Sequence, residues 1–324
     1  MIILNHARGL YIPVLSWLFY RLWAGVVVLW ASVTLVFVAF QFIPGDPVKI
    51  IAGPGAVLSP DAITALRQQF GLNLSVTERY LHYFIGLAHG DFGLSYASQQ
   101  PVSALISGQL GSSIVLTGVA LAIAWGLVLL WICLTASRSP GLNSLGRSIE
   151  IISSSLPDFW VGLLLITLFA FRLHWFPVIG TGWRGIVLPS LALAIPLAGF
   201  LGQIIRQSFD DAMKQPFALS VRARGSSSSR LRVLHVLRHA VLPGISLSNW
   251  AVGWLLGGSV AIEQIFARQG IGNMILDAVQ RRDLPVIMGI VAVIAVSYII
   301  VNIVTDILIF FIGGHSRTSE AGDI

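Results

Sequence analysis

Charge is scarce in this 324-residue chain: Asp, Glu, Lys and Arg make up 10% of it, against 56% hydrophobic residues and a mean hydropathy of +0.83. A soluble domain draws about a quarter of its residues from those four types, so the deficit excludes a water-wetted globule and makes the chain a polytopic membrane protein. Cysteine is nearly missing as well. Cys133 stands alone, which excludes an internal disulfide, and inside an apolar run it reads as a packing residue. Lysine occurs only at Lys49 and Lys214, and no Gly-x-x-x-x-Gly-Lys-Ser/Thr stretch is present to cradle phosphates, so no nucleotide site is expected here. His82 and His89 have no cysteine or carboxylate at ligand spacing, and no metal site is expected. The N-terminus has no short apolar core followed by a small-residue cleavage site; its first apolar run is long enough to span and is expected to be retained.

Crossing a bilayer takes about 20 apolar residues, and six runs qualify: 22–43, 114–136, 151–173, 187–205, 242–262 and 286–312. Six crossings put both termini on one side. Placing them in the cytoplasm assigns 12 of the 20 Lys and Arg to inner segments: Arg8, Arg21, Arg138, Arg147, seven from Arg206 to Arg238, and Arg317. The eight outer ones are balanced by seven acids. The seven basic residues crowded into one inner loop fix the orientation by the positive-inside rule, and the net charge of +6 reads as topology and lipid contact, not as a nucleic-acid surface.

The chain divides into an N-terminal segment (1–21), a transmembrane domain (22–312) and a polar tail (313–324), with an outer insertion at 44–113 and a cytoplasmic loop at 206–241. The insertion is patterned as a small helical fold. Gly45-Asp46-Pro47 and Pro54-Gly55 read as turns, Ser59-Pro60-Asp61 starts a helix that stops at Gly71, and a second helix is predicted over 76–88 with Tyr80, Phe84 and Leu87 on one face.

Between Pro216 and Pro243 lies PFALSVRARGSSSSRLRVLHVLRHAVLP. Its five arginines would each cost roughly 2.5–3.5 kcal/mol at the centre of a spanning helix, so the stretch lies outside the hydrocarbon. Gly225 closes a short helix begun near Pro216, because glycine takes the left-handed conformation of a helix C-terminus. After Ser226 to Ser229, the spacing of Leu231, Leu234, His235 and Arg238 predicts a second short helix with one semi-apolar face, and Leu242-Pro243 opens the next crossing. Charge alone fits a loop held at anionic lipid as well as a docking site.

The spacing of Ala223-x-Gly225, His235-x-Leu237-Arg238-x-Ala240 and Leu242-Pro243 resembles the coupling loop of ABC importer permeases. Gly45-Asp46-Pro47, Gly90-Asp91-Phe92-Gly93-Leu94-Ser95, Leu156-Pro157, Phe159-Trp160, Glu263, Phe266, Gly270-Ile271-Gly272 and Arg282-Asp283 extend the similarity from about Arg21 to Asp306. In that order they resemble the first permease subunit of the peptide/nickel importer family. The resemblance implies an all-α fold of six transmembrane helices, the type I ABC importer permease fold, in the bacterial inner membrane. It implies a homologous second permease, two cytoplasmic ATPase subunits that hold ATP and Mg, and a periplasmic substrate-binding protein. No cofactor and no catalysis are expected in this chain. Docking onto the ATPase is implied for Arg222, Ala223, Gly225, His235, Arg238 and Pro243. Ser226 to Ser229 depart from the family pattern, as does Gly313-Gly314-His315, which stands where an Asp-Pro-Arg is common.

Charged groups inside spanning runs are functional candidates by default. Asp158 beside Pro157 is a candidate pathway residue with Phe159 and Trp160, or else a carboxylate bonded to a neighbouring helix or to backbone that Pro157 frees. Asn302 and Asp306 read as an interhelical polar contact. The resemblance puts Glu263, Gly270, Gly272 and Asp283 in an outer gate; the plain alternative is a solvated hairpin. The cargo is a nickel or other metal chelate, toward which 180–189 and the FGLSYASQQPV segment lean, or else a short peptide. From another class, an intramembrane hydrolase would need paired acids, and Asp158 with Asp306 is the pair on offer.

Overall fold

The computed structural model of the protein describes residues 14–53, 55–180 and 182–313. Arg8, Pro54, Gly314, His315 and Arg317, with most of the two terminal segments, lie outside them. The described residues are helical nearly throughout, with one isolated bridge between Leu94 and Pro101. Five runs are long and apolar enough to cross a bilayer: Phe19–Gln41 within α1 (Val14–Gln41), α5 (Val102–Thr135), α8 (Gly182–Ala212), Ser228–Gly258 and Leu284–Ile312 of α14 (Leu284–Gly313).

The sixth is not the straight helix expected over 151–173. It is a pair, α6 (Pro140–Ser155) and α7 (Asp158–Leu165), which continues as a π-helical turn over Ile166–Arg172, and the pair bends by 98°. The cause is local. A residue before proline is pushed out of the helical region, and Leu156 (ψ 130°) and Pro157 (ψ 134°) are both extended. Two other expected bounds shift. Helix α5 begins at Val102, not 114, since the end of the outer insertion is already helical, and α8 runs on to Ala212, which takes Arg206 out of the inner loop.

The outer insertion folds by its caps. Asp46 accepts from the Val48 amide to start α2 (Pro47–Ala52), Ser59 caps α3 (Pro60–Gln69), and Ser75 with Glu78 closes a capping box on α4 (Val76–Ala88). The Ser75 hydroxyl and amide bonded to Glu78 hold its carboxyl below the usual range. Helix α4 lies on α1, with the Tyr80 ring edge-on to Phe37 at 5.3 Å and its hydroxyl 2.9 Å from Thr34 Oγ1.

Helix α8 is the axis of the bundle, packed on α5, α6, α7 and α11 (Leu237–Gly258), and Leu193, Leu197, Leu201 and Ile205 are buried along it. Its contact with α6 is close enough that a methyl on Gly199 would fall 2.7 Å from the Glu150 carbonyl oxygen. Glu150 itself and Arg206, about two turns beyond Gly199 on α8, are 3% and 2% exposed. Arg206 donates from Nη2 and Nε to the Glu150 carboxylate at 2.6–2.9 Å, from Nη1 to Asn143 Oδ1 at 2.8 Å, and from Nη2 to Thr135 Oγ1 at 2.6 Å. Three helices thus meet on one guanidinium. Removing one partner of such a pair strands a buried charge, at about 3–5 kcal/mol. Glu150→Ala should lose that much in thermal or denaturant unfolding of the purified protein, and a loss under about 1 kcal/mol would contradict the role given to the pair.

Candidate coupling loop and outer gate

On the inner side, α9 (Pro216–Ala223) follows α8 after a short turn and ends where Gly225 takes φ +78°. Its underside is apolar: Ala218 is buried, Phe217 and Val221 pack on the main core, and the Phe217 ring lies 4.9 Å from that of His239. Leu219, Arg222 and Ala223 face away from the bundle and are exposed. The serines that depart from the family pattern have a local use. Ser227 caps the next helix, α10 (Ser228–Arg230), by accepting from the Arg230 amide.

Beyond that cap the expected isolated helix is absent. From Ser228 the chain is helical through to Gly258, with Pro243 inside α11, so loop and crossing form one rod. Residues Leu231–Val236 form a π-helical turn, whose longer period sends Leu231 and Val236 inward and leaves Leu234 58% exposed. Leu231, Leu234, His235 and Arg238 therefore do not share one face. His235 is half-buried, and Arg238 donates from Nε and Nη2 to the Ile312 carbonyl at 3.2 and 3.0 Å, which ties the rod to the end of α14.

On the outer side the plain reading of a solvated hairpin is corrected: Glu263 and Asp283 are 1% and 2% exposed. Glu263, on α12 (Val260–Ile265), accepts from Ser113 Oγ at 2.8 Å, Ser259 Oγ at 3.1 Å and the Asn273 amide at 2.8 Å, while Ser113 Oγ also accepts from the Ile271 amide. The carboxylate thereby holds the first turn of α13 (Ile271–Gln280) against α5. Gly270 and Gly272 leave room for it; a methyl on Gly270 would overlap the carboxylate itself. Asp283 accepts from Ser95 Oγ at 2.5 Å and from the Tyr96 and Ala97 amides at 3.0 and 3.1 Å, pinning the outer 93–101 loop to the start of α14.

Asp158 sits in the first turn of α7 and accepts from the Phe159 amide at 2.7 Å, as a carboxylate bonded to backbone that Pro157 frees. Phe159 and Trp160 are exposed beside it. Asp306 is 2.5 Å from Arg21 Nη2, and Asn302 bonds Asn249, so these two residues join α14 to α1 and to α11. Asp158 and Asp306 thus have separate partners and form no acid pair. Glu150, which the sequence reading passed over, had one signal: a lone acid between Ile149 and Ile151.

A family model described as the binding-protein-dependent transport system inner membrane component matches residues 118–314, and the model of the N-terminal part of such membrane components matches 14–117. The chain belongs to this family. The glutathione transport system permease protein GsiC of Salmonella typhimurium is 33% identical over 277 residues, 85% of this chain and 90% of that one, and its Escherichia coli K12 counterpart matches to the same extent. A solved structure of the MetNI methionine ABC transporter in inward-facing conformations has a chain that superposes with a TM-score of 0.51 at 15% identity. It covers 64% of this chain and 96% of that one, which speaks for the fold alone. As a family member the protein is a multi-pass membrane subunit of a binding-protein-dependent ABC importer, with ATP hydrolysis in partner subunits.

In this permease Gly270→Ala should force the hairpin off Glu263 at about 1–3 kcal/mol, the usual penalty for overpacking a filled site. Hydrogen exchange at the amides of 271–280 should speed up, and unchanged exchange would refute the clamp.

Proposed function

We propose that this chain is one half of a heterodimeric permease in the bacterial inner membrane that takes a short peptide from a periplasmic binding protein and passes it inward by alternating access. Two ATPase subunits, which hold ATP and Mg, drive it through the 216–243 loop. The observation that carries the substrate class is the 33% identity to glutathione permeases along 85% of the chain. Glutathione is itself a small peptide, and the binding protein sets the final choice. A metal chelate is favoured by 180–189 and the FGLSYASQQPV segment, but Ser95, Tyr96 and Ala97 of the latter bond Asp283, so that segment's sequence answers to the outer clamp.

The coupling part of the proposal rests on α9, a short helix fixed to the core from below with Leu219, Arg222 and Ala223 on top. Arg222 is exposed and, among the described residues, makes no bond to the bundle that charge reversal would break, whereas Arg238 also holds α14. The pathway roles of Phe159 and Trp160 and the gate role of the Glu263 hairpin belong to the same proposal. In proteoliposomes holding both permeases, the ATPases and the loaded binding protein, Arg222→Glu should cut binding-protein-stimulated ATP hydrolysis at least tenfold with the unfolding temperature kept. Gly225→Val, strained at a positive φ by about 1–3 kcal/mol, should do likewise. Uptake of glutathione or a dipeptide above that of a nickel chelate is expected. Full stimulation in both variants would sink the coupling role, and chelate uptake alone would sink the peptide assignment.

A further inference from the structure

Where the outer end of α1 meets the insertion there is a cavity of about 180 Å³, lined among others by Gln41, Gly45, Arg79, Tyr96 and Arg282. Two guanidiniums line it and no carboxylate does. The neighbouring acids are engaged elsewhere: Asp46 accepts from Arg67 and the Val48 amide, and Asp283 is filled by Ser95, Tyr96 and Ala97. Arg282 adopts φ +55°, rare for a side chain of its size, and donates from Nη1 to the Pro44 carbonyl at 2.5 Å. Gly45 is what lets it in, for at φ +147° a Cβ there would lie 2.9 Å from Nη1. Arg79 has one long bond, from Nη2 to Gln41 Oε1 at 3.4 Å, and its buried Nε finds no acceptor among the described residues. Burial also raises the Tyr96 hydroxyl above its ordinary range.

Paired guanidiniums with free N–H groups match the oxygens of a phosphate or carboxylate. The surroundings select between them. The cavity opens at the last turn of the first span, beside Phe42, which is 82% exposed, and Ile43; Leu81 and Ile85 of α4 are exposed on the same insertion. Helix α4 reaches along α1 as far in as Thr34. A cationic pocket at the end of a span, beside the outward-turned Phe42 and Ile43, sits at headgroup depth.

We infer that Arg79 and Arg282 form a built site for the phosphodiester of one phospholipid, in the leaflet opposite the arginine loop. The phosphodiester, with one negative charge, accepts from both guanidiniums, offsets one of their two charges and fastens the insertion to the end of the first span.

Native mass spectrometry of the assembled importer in mild detergent tests this. Arg79→Gln/Arg282→Gln should retain one phospholipid fewer than wild type, and Arg79→Lys/Arg282→Lys should keep it. Equal lipid counts in wild type and the Gln variant would overturn the site. Should the Gln variant fail to assemble, delipidated wild-type importer serves alone: micellar phosphatidylglycerol is expected to raise its unfolding temperature at concentrations where inorganic phosphate and acetate do not. An equal rise with either soluble anion would overturn the lipid assignment.

Discussion

One guanidinium organises the inner half of this protein. Arg206 lies where water is scarce, and a charge there is tolerable only if its donors are answered. Thr135, Asn143 and Glu150 answer them from two other helices, so the ends of α5, α6 and α8 are located relative to one another by chemistry that no apolar contact supplies. The turn after Ala212 then delivers α9 to one place on the inner surface. The proposed coupling to a soluble motor would need such a foundation, since a helix end free to shift would absorb the push.

The outer half repeats the device with carboxylates. Glu263 joins α12, α13 and α5, and Asp283 joins α14 to the loop before α5. Apolar side chains bind helices only weakly to one another when lipid is equally apolar, so close packing and interhelical polar bonds must give the bundle its specificity. The near absence of charge noted at the outset acquires its meaning here. Of the acids among the described residues, three are buried and each joins segments far apart in sequence.

The spans were legible because bilayer thickness writes itself as apolar run length, and the caps of α3 and α4 because Ser-Pro-Asp and Ser-x-x-Glu carry their own geometry. Gly225 was legible for the same kind of local reason. The bend at Pro157 lay in plain view as Leu156-Pro157, yet hydropathy is blind to direction and the run read as straight. The π-helical turn at Leu231–Val236 was hidden because a single wide turn leaves no repeat to count, and it moved Leu234 to the outside. The burial of Glu263 and Asp283 could not be read locally: beside the nearby Ser259 and Asn273, the partners that bury them, Ser113 and the 95–97 segment, are over a hundred residues away.

The central claim is that α9 is the surface on which an ATPase subunit sits. A cysteine placed at Leu219, in a background with Cys133→Ala, measures it most directly. In inside-out vesicles holding the assembled importer, a membrane-impermeant maleimide should label that cysteine slowly, and the same vesicles stripped of ATPase should label at least tenfold faster. Equal labelling with and without the ATPase, or labelling only in right-side-out vesicles, would contradict the account.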